Sequence, residues 1–187
     1  MKHLPFTRGF TLAELLIVLT ILAIVSAFAI PSFTSLVKKS RQKTELSELI
    51  SLINLARNTA IQRQVSVTLC PVNTEKKCEK DWSNPIIAFI DPDRSGRISE
   101  PSRILRVLPR QRYGFFVGKT GIHNYFRFRP SGLAVEAIGN IIWCPNDRDT
   151  AYASQIRINM GGRPFIAKDT NGDGYVEDAQ NQHLSCI

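Results

Sequence analysis

From Phe10 to Ile30 the chain reads FTLAELLIVLTILAIVSAFAI, a nearly unbroken apolar run. A helix needs about 20 such residues to cross a hydrocarbon core, so this part of the chain is expected to span a membrane. Ahead of it, residues 1–9 (MKHLPFTRG) carry Lys2 and Arg8. Basic flanks stay cytoplasmic, which places everything after the run outside the cytoplasm. A second span is excluded, because mean hydropathy over the 187 residues is −0.09 and no other segment has the required length. The plain alternative is a cleaved secretory signal, for which Ala27-Phe28-Ala29 offers a site. The run, however, exceeds the ~7 to 15 apolar residues of such signals and contains a carboxyl group.

That carboxyl belongs to Glu14. A charge well inside a spanning helix costs roughly 2.5 to 3.5 kcal/mol on insertion scales, so it calls for a cationic partner. The segment Gly9-Phe10-Thr11-Leu12-Ala13-Glu14-Leu15-Leu16 resembles the class III signal of type IV pilins and type II secretion pseudopilins. The resemblance implies that a membrane-embedded prepilin peptidase cuts after Gly9 and methylates the new N-terminus at Phe10. It also implies that Glu14 pairs with the N-terminal ammonium of a neighbouring subunit when a filament assembles, so that two charges poorly tolerated in lipid neutralise each other. Pro31 stands where pilins have a helix kink, in keeping with its missing N–H.

Beyond Pro31, Leu46, Leu49, Ile50, Ile53, Ala56, Ala60 and Ile61 recur at steps of three and four, which predicts an amphipathic continuation of the same helix. Lys38, Lys39, Arg41 and Lys43 mark its polar side. From Val65 the pattern changes to short β-rich runs: Val65–Leu69, Ile86–Ile90, Ile104–Leu108, Phe115–Val117, Tyr125–Phe128, Ile141–Trp143, Ile156–Ile158 and Phe165–Ala167. No run of helical length separates them, so parallel βαβ units are not expected. The fold class is α+β: a long N-terminal helix, half transmembrane and half amphipathic, packed on an antiparallel β-sheet head. The expected organisation is a leader over 1–9, a membrane segment over 10–30, an amphipathic helix over 31–64 and a β-rich head over 65–187.

Within the head, Cys70, Trp82, Phe89-Ile90-Asp91, Phe128-Arg129-Pro130-Ser131-Gly132, Cys144, Gly162-Arg163 and Cys186 resemble GspH/FimT-type minor pilins, the group that includes FimU-like subunits. Cysteines in an exported head are expected to be oxidised. Four of them allow three pairings, and the sequence alone does not choose. Joining Cys70 to Cys78 would brace a short polar loop. Cys144 and Cys186 would then tie the C-terminal tail to a central strand, which is similar to how many pilins fasten that region. Zinc is not expected, since no C-x-x-C occurs and His123 and His183 lack ligand spacing to the cysteines.

Two acidic loops stand out. Asp169, Asn171, Asp173, Tyr175 and Glu177 follow the alternate oxygen-ligand positions of an EF-hand loop, with Gly172 and Gly174 between them, but Gln180 stands where a bidentate Glu belongs. The same residues also make an Asx-rich turn without metal, and the turn is the favoured reading over calcium. Asp91-Pro92-Asp93-Arg94-Ser95-Gly96-Arg97-Ile98 is a weaker copy, interrupted by two arginines, for which a turn is expected.

A net charge of +8 and a pI near 9.6 permit anionic partners without naming one. Arg103, Arg106, Arg110, Arg112, Lys119, Arg127 and Arg129 interleave with aromatics between Glu100 and Glu136, a mixture that can track phosphates and stack bases. Alternation favours a half-buried strand instead, with Phe126 and Phe128 inward and Arg127 and Arg129 in water. Some FimT-like minor pilins bind DNA through a basic G-R-x-R stretch. The matching place here, Gly162-Arg163-Pro164-Phe165, lacks the second arginine, leaving Arg163, Lys168, Arg127 and Arg129 as candidate DNA contacts.

No catalytic signature is present. Gly114 to Thr120 is one residue short of a phosphate loop, and neither G-x-S-x-G nor H-E-x-x-H occurs, so no enzyme is expected. The resemblance implies a minor (pseudo)pilin held single-pass in the inner membrane with a periplasmic head. It would then enter a filament with other minor and major pilins and contribute to pilus assembly and priming at the tip. A DNA-binding minor pilin for natural transformation and a type II secretion minor pseudopilin are the alternatives.

Overall fold

The computed structural model describes residues 9–134 and 139–186. Residues 1–8 of the expected leader, residues 135–138 and Ile187 of the head lie outside the described residues. One helix, α1 (Leu12–Arg63), is followed by β1 (Val67–Pro71), β2 (Ile86–Ile90), β3 (Ile104–Leu108), β4 (Gly114–Lys119), β5 (Phe126–Phe128), β6 (Gly139–Pro145), β7 (Ser154–Ile158) and β8 (Pro164–Ile166). Each expected strand is present, its ends displaced by at most two residues.

The chain forms two compact units that divide after Lys39. In the first, α1 runs through the apolar segment and Pro31, and every described residue from Gly9 to Ile30 is exposed. Its length and composition suffice to cross a membrane. At about 1.5 Å per residue, the stretch Leu12–Ile30 matches a hydrocarbon core of roughly 30 Å.

The second unit starts at Ser40 and contains the rest of α1 and all eight strands. These form two antiparallel sheets of four strands, ordered β3-β2-β1-β5 and β4-β6-β7-β8. Leu49, Leu52, Ile53, Ala56 and Ala60 of α1 enter one core with Val67 and Leu69 of β1, Phe126 and Phe128 of β5, Ile141 and Trp143 of β6 and Ile156 of β7. The helical stripe thus serves both sheets. Fully burying each Val, Leu, Ile or Phe side chain among these is worth about 1.5 to 3 kcal/mol. Strand alternation sends Ile142 and Cys144 to the opposite face of the second sheet, where they pack with Leu184 and Cys186 of the tail. Cys70 and Phe89 likewise meet Ile98 across the first sheet. With both faces covered, β1 and the centre of β6 are buried throughout.

The helix ends by a Schellman-type turn. Gln64 takes a left-handed φ of 51° and the Val65 N–H donates to the Ala60 carbonyl at 3.2 Å, while the Gln64 side-chain Nε2 donates to the Ile61 carbonyl at 2.7 Å. Two disulfides close the head, Cys70 to Cys78 and Cys144 to Cys186, which selects one of the three pairings the sequence left open.

Candidate functional site

At the start of α1, the amide and hydroxyl of Thr11 both donate to Glu14 Oε2 at 2.9 Å. The Glu14 amide in turn donates to Thr11 Oγ1 at 3.2 Å. This is a capping box, in which N-cap and N3 residues satisfy each other's orphan N–H groups. The T-x-x-E spacing is visible in the sequence, yet Glu14 read there only as a charge in need of a cation. Its carboxyl reaches back over the first turn to the amide of Thr11, one residue from the nitrogen of Phe10. Phe10 itself is 90% exposed, and Gly9 is exposed beside it.

The arginine candidates separate. Arg163 and Lys168 are exposed on either side of β8, and Arg129 is half-buried. Arg127 is not in water as the alternation suggested: only 3% of it is exposed. Its Nη2 lies 3.2 Å from Asp91 Oδ2 and 2.8 Å from the Arg94 carbonyl, its Nε donates to Thr68 Oγ1, and its guanidinium sits over the Tyr125 ring at 4.3 Å. Alternation does put Arg127 on the opposite face from Phe126 and Phe128, in register with Thr68. That face is roofed by the 91–98 loop. Asp91 holds the loop by accepting from Ser95 and Gly96 amides at 2.9 and 3.0 Å and from the Thr68 hydroxyl at 2.8 Å. Arg127 is therefore withdrawn as a DNA contact.

Gly162 and the two glycines of the near-phosphate loop have packing roles. Gly162 has φ 70°, and a Cβ there would meet the Gly132 carbonyl at 2.3 Å. Arg57 of α1 clamps both turns, donating from Nε to the carbonyls of Gly132 and Gly161. Gly114 and Gly118 lie in β4 and leave room for Trp143 and Trp82, respectively.

Glu45 of α1, buried and not anticipated as a site residue, accepts from the Trp143 indole N–H and from the Tyr113 amide. Only the three-dimensional packing brings these groups together.

In the C-terminal loop, Asp169 Oδ1 and Oδ2 accept from the amides of Gly172 and Gly174 at 2.7 and 2.9 Å. Asn171 accepts from the Asp173 amide and Asp173 from the Tyr175 amide. The Tyr175 N–H, with His183 Nε2 at 2.8 Å, holds the Asp173 carboxyl below its usual range. Carboxyl oxygens of Asp169, Asp173 and Glu177 converge to within 4.8 Å of one another. The tail returns beside them, Glu177 bridging to His183 and Tyr175 stacking on the His183 ring at 4.7 Å.

Comparison with known proteins agrees with this architecture. The family described as Type II transport protein GspH matches residues 45–162, well over half of the chain, and the prokaryotic N-terminal methylation motif matches residues 6–30. No curated protein sequence matches. Two crystal structures of the type IV minor pilin FimU of Pseudomonas aeruginosa (strain PAO1) are similar in fold. One has a TM-score of 0.56 at 19% identity, covering 79% of this chain and 96% of that one. The other has a TM-score of 0.53 at 19% identity, covering 67% and 92%.

Proposed function

The chain belongs to the GspH family of type II transport proteins, and from that premise we propose that it is a minor pilin-type subunit that helps to assemble and prime a type IV pilus at its tip. The subunit waits in the inner membrane with its head in the periplasm. A prepilin peptidase cuts after Gly9 and methylates Phe10, and the apolar part of α1 joins the filament core beside other minor and major pilins. Glu14 then exchanges its partner. In the free subunit it caps its own helix through Thr11, and in the filament it takes up the ammonium of a neighbour's Phe10. That exchange makes membrane storage tolerable and stacking favourable, because two charges costly in lipid are neutralised together.

The observation that carries this reading is the capping box itself. It positions the one intramembrane acid at the same helix end at which cleavage would create a positive charge. The description of the family favours a second reading, a minor pseudopilin of a type II secretion system. Arg163 and Lys168 keep DNA contact open as a third outcome, because both are solvent-exposed.

A deletion strain scored separately for surface pili, protein secretion and DNA uptake distinguishes these. Loss of surface pili with secretion and DNA uptake intact is expected. Loss of secretion alone assigns the subunit to the secretion filament, and loss of uptake with pili intact assigns it to DNA capture. Intact mass of the mature protein is expected to begin at methylated Phe10. An uncut, unmethylated chain would overturn the assembly reading.

A further inference from the structure

The loop from Asp169 to Glu177 carries an arrangement that a metal-free turn does not require. An Asx-rich turn needs its carboxyl oxygens only as acceptors for backbone N–H groups, and Asp169, Asn171 and Asp173 serve in that way. Glu177 differs. It is 3% exposed, its Oε2 accepts from the Thr170 amide and hydroxyl at 3.0 and 3.1 Å, and its Oε1 is buried with no hydrogen-bond partner among the described residues.

The Arg157 guanidinium, which touches Glu177 only through its backbone, is committed elsewhere. Arg157 donates from Nη2 to the Glu177 backbone carbonyl at 2.8 Å and from Nε to Gln155 Oε1 at 2.6 Å. A buried carboxyl oxygen left without a donor or cation costs stability, so such a group in a folded protein points to a partner. A carboxyl oxygen of Glu177 lies within 4.8 Å of one from each of Asp169 and Asp173. His183 Nε2 lies 2.8 Å from Asp173 on the exposed side, yet three carboxyls brought this close to one another still favour a positive charge among them.

We propose that this loop is a calcium site in which Asp169, Asp173 and the buried carboxyl of Glu177 ligate one Ca²⁺ ion. The donors are all oxygens, the preference of a hard cation, and the four cysteines that could favour zinc are consumed in disulfides. Glu177 replaces the bidentate Glu missing at Gln180. Gln180 belongs to a separate turn, in which Asp178 Oδ1 accepts from the amides of Gln180 and Gln182 at 2.8 and 3.0 Å. Asp178 is thereby occupied, which leaves Glu177 to close a shorter loop. Calcium would tie this loop to the tail segment that ends in the Cys144–Cys186 disulfide. A site with three carboxyls and no twelfth-position Glu fits the weaker extracellular class, with Kd on the order of 10⁻⁴ to 10⁻³ M.

The test is thermal unfolding of the full-length, disulfide-intact protein in detergent, after chelation and then with CaCl₂ or MgCl₂ at about 10 mM. Calcium is expected to raise Tm by roughly 3 to 11 °C, and magnesium by clearly less. Glu177→Gln keeps the side-chain volume and removes the charge. Without calcium this variant is expected to be as stable as the parent or more so, and with calcium to gain nothing. Asp173→Asn, at an exposed position that tolerates change, is expected to weaken calcium affinity at least tenfold. The absence of a calcium shift, an equal shift with magnesium, or a full calcium response in either variant would overturn the proposal.

Discussion

Glu14 and Thr11 hold each other: the carboxyl accepts the Thr11 amide at 2.9 Å while the Thr11 hydroxyl accepts the Glu14 amide at 3.2 Å. One side chain thus has two duties, capping and charge, and the two separate by substitution. Gln at N3 also completes a capping box, so Glu14→Gln removes the charge and keeps the cap. Thr11→Ala does the reverse, costing about 1 kcal/mol of helix-end stability.

If charge pairing drives assembly, Glu14→Gln subunits are expected to be cut, methylated and retained in the membrane but absent from sheared filaments, whereas Thr11→Ala subunits are incorporated. Immunoblots of sheared filaments and membranes measure this. Incorporation of Glu14→Gln at the parental level would show that the acid acts only as a cap.

Arg127 and Asp91 make a second separable prediction. Both are almost fully buried, at 3% and 2% exposure of their side chains, and breaking a buried pair by removing one partner costs about 3 to 5 kcal/mol. Arg127→Ala is therefore expected to lower the Tm of the full-length protein by roughly 6 to 20 °C. Arg163→Ala, on an exposed turn, is expected to change stability by no more than about 0.5 kcal/mol. Any loss of DNA uptake in an Arg127 variant is then a folding effect, and only a loss in Arg163 or Lys168 variants bears on DNA contact. A Tm for Arg127→Ala within 1 to 2 °C of the parent would contradict the buried-pair account.

The elements most legible in the sequence were those set by local periodicity. The helix from Leu12 to Arg63 and all eight strands follow from apolar spacing and turn residues, because both signals act over a few residues. Leu52, fully buried in α1, is absent from the anticipated stripe. One helix facing two sheets buries a wider arc than a single stripe, and the division of the strands between two sheets is a long-range fact. Arg127 shows the same boundary. Period-two alternation gave the correct face of β5, but whether that face meets water depends on a loop anchored by Asp91, 36 residues upstream. Glu45 is the extreme case, since its partners Tyr113 and Trp143 are 68 and 98 residues away in sequence. The calcium-type loop was legible as a pattern of oxygens, whereas burial of Glu177 with a free oxygen arises only when the tail folds back beside it.

The two disulfides are expected to contribute unequally, and the order can be stated in advance. In the chain-entropy account a crosslink stabilises by restricting the unfolded chain, more so for a longer loop. Cys70 and Cys78 are separated by 8 residues and Cys144 and Cys186 by 42, giving about 2.5 and about 4 kcal/mol respectively. The longer link also anchors Leu184 and Cys186 against Ile142 and Cys144, so its removal exposes apolar surface on the outer face of the second sheet. Replacing both Cys144 and Cys186 by Ser is expected to lower Tm more than replacing Cys70 and Cys78, and to speed amide exchange selectively over residues 176–186. Measured by hydrogen exchange with the membrane segment held in detergent, protection in α1 from Leu49 to Ala60 should persist, because that core does not include the tail. Equal destabilisation by the two replacements, or loss of protection spread evenly over the head, would mean that the tail is part of the central fold rather than a strap fastened onto it.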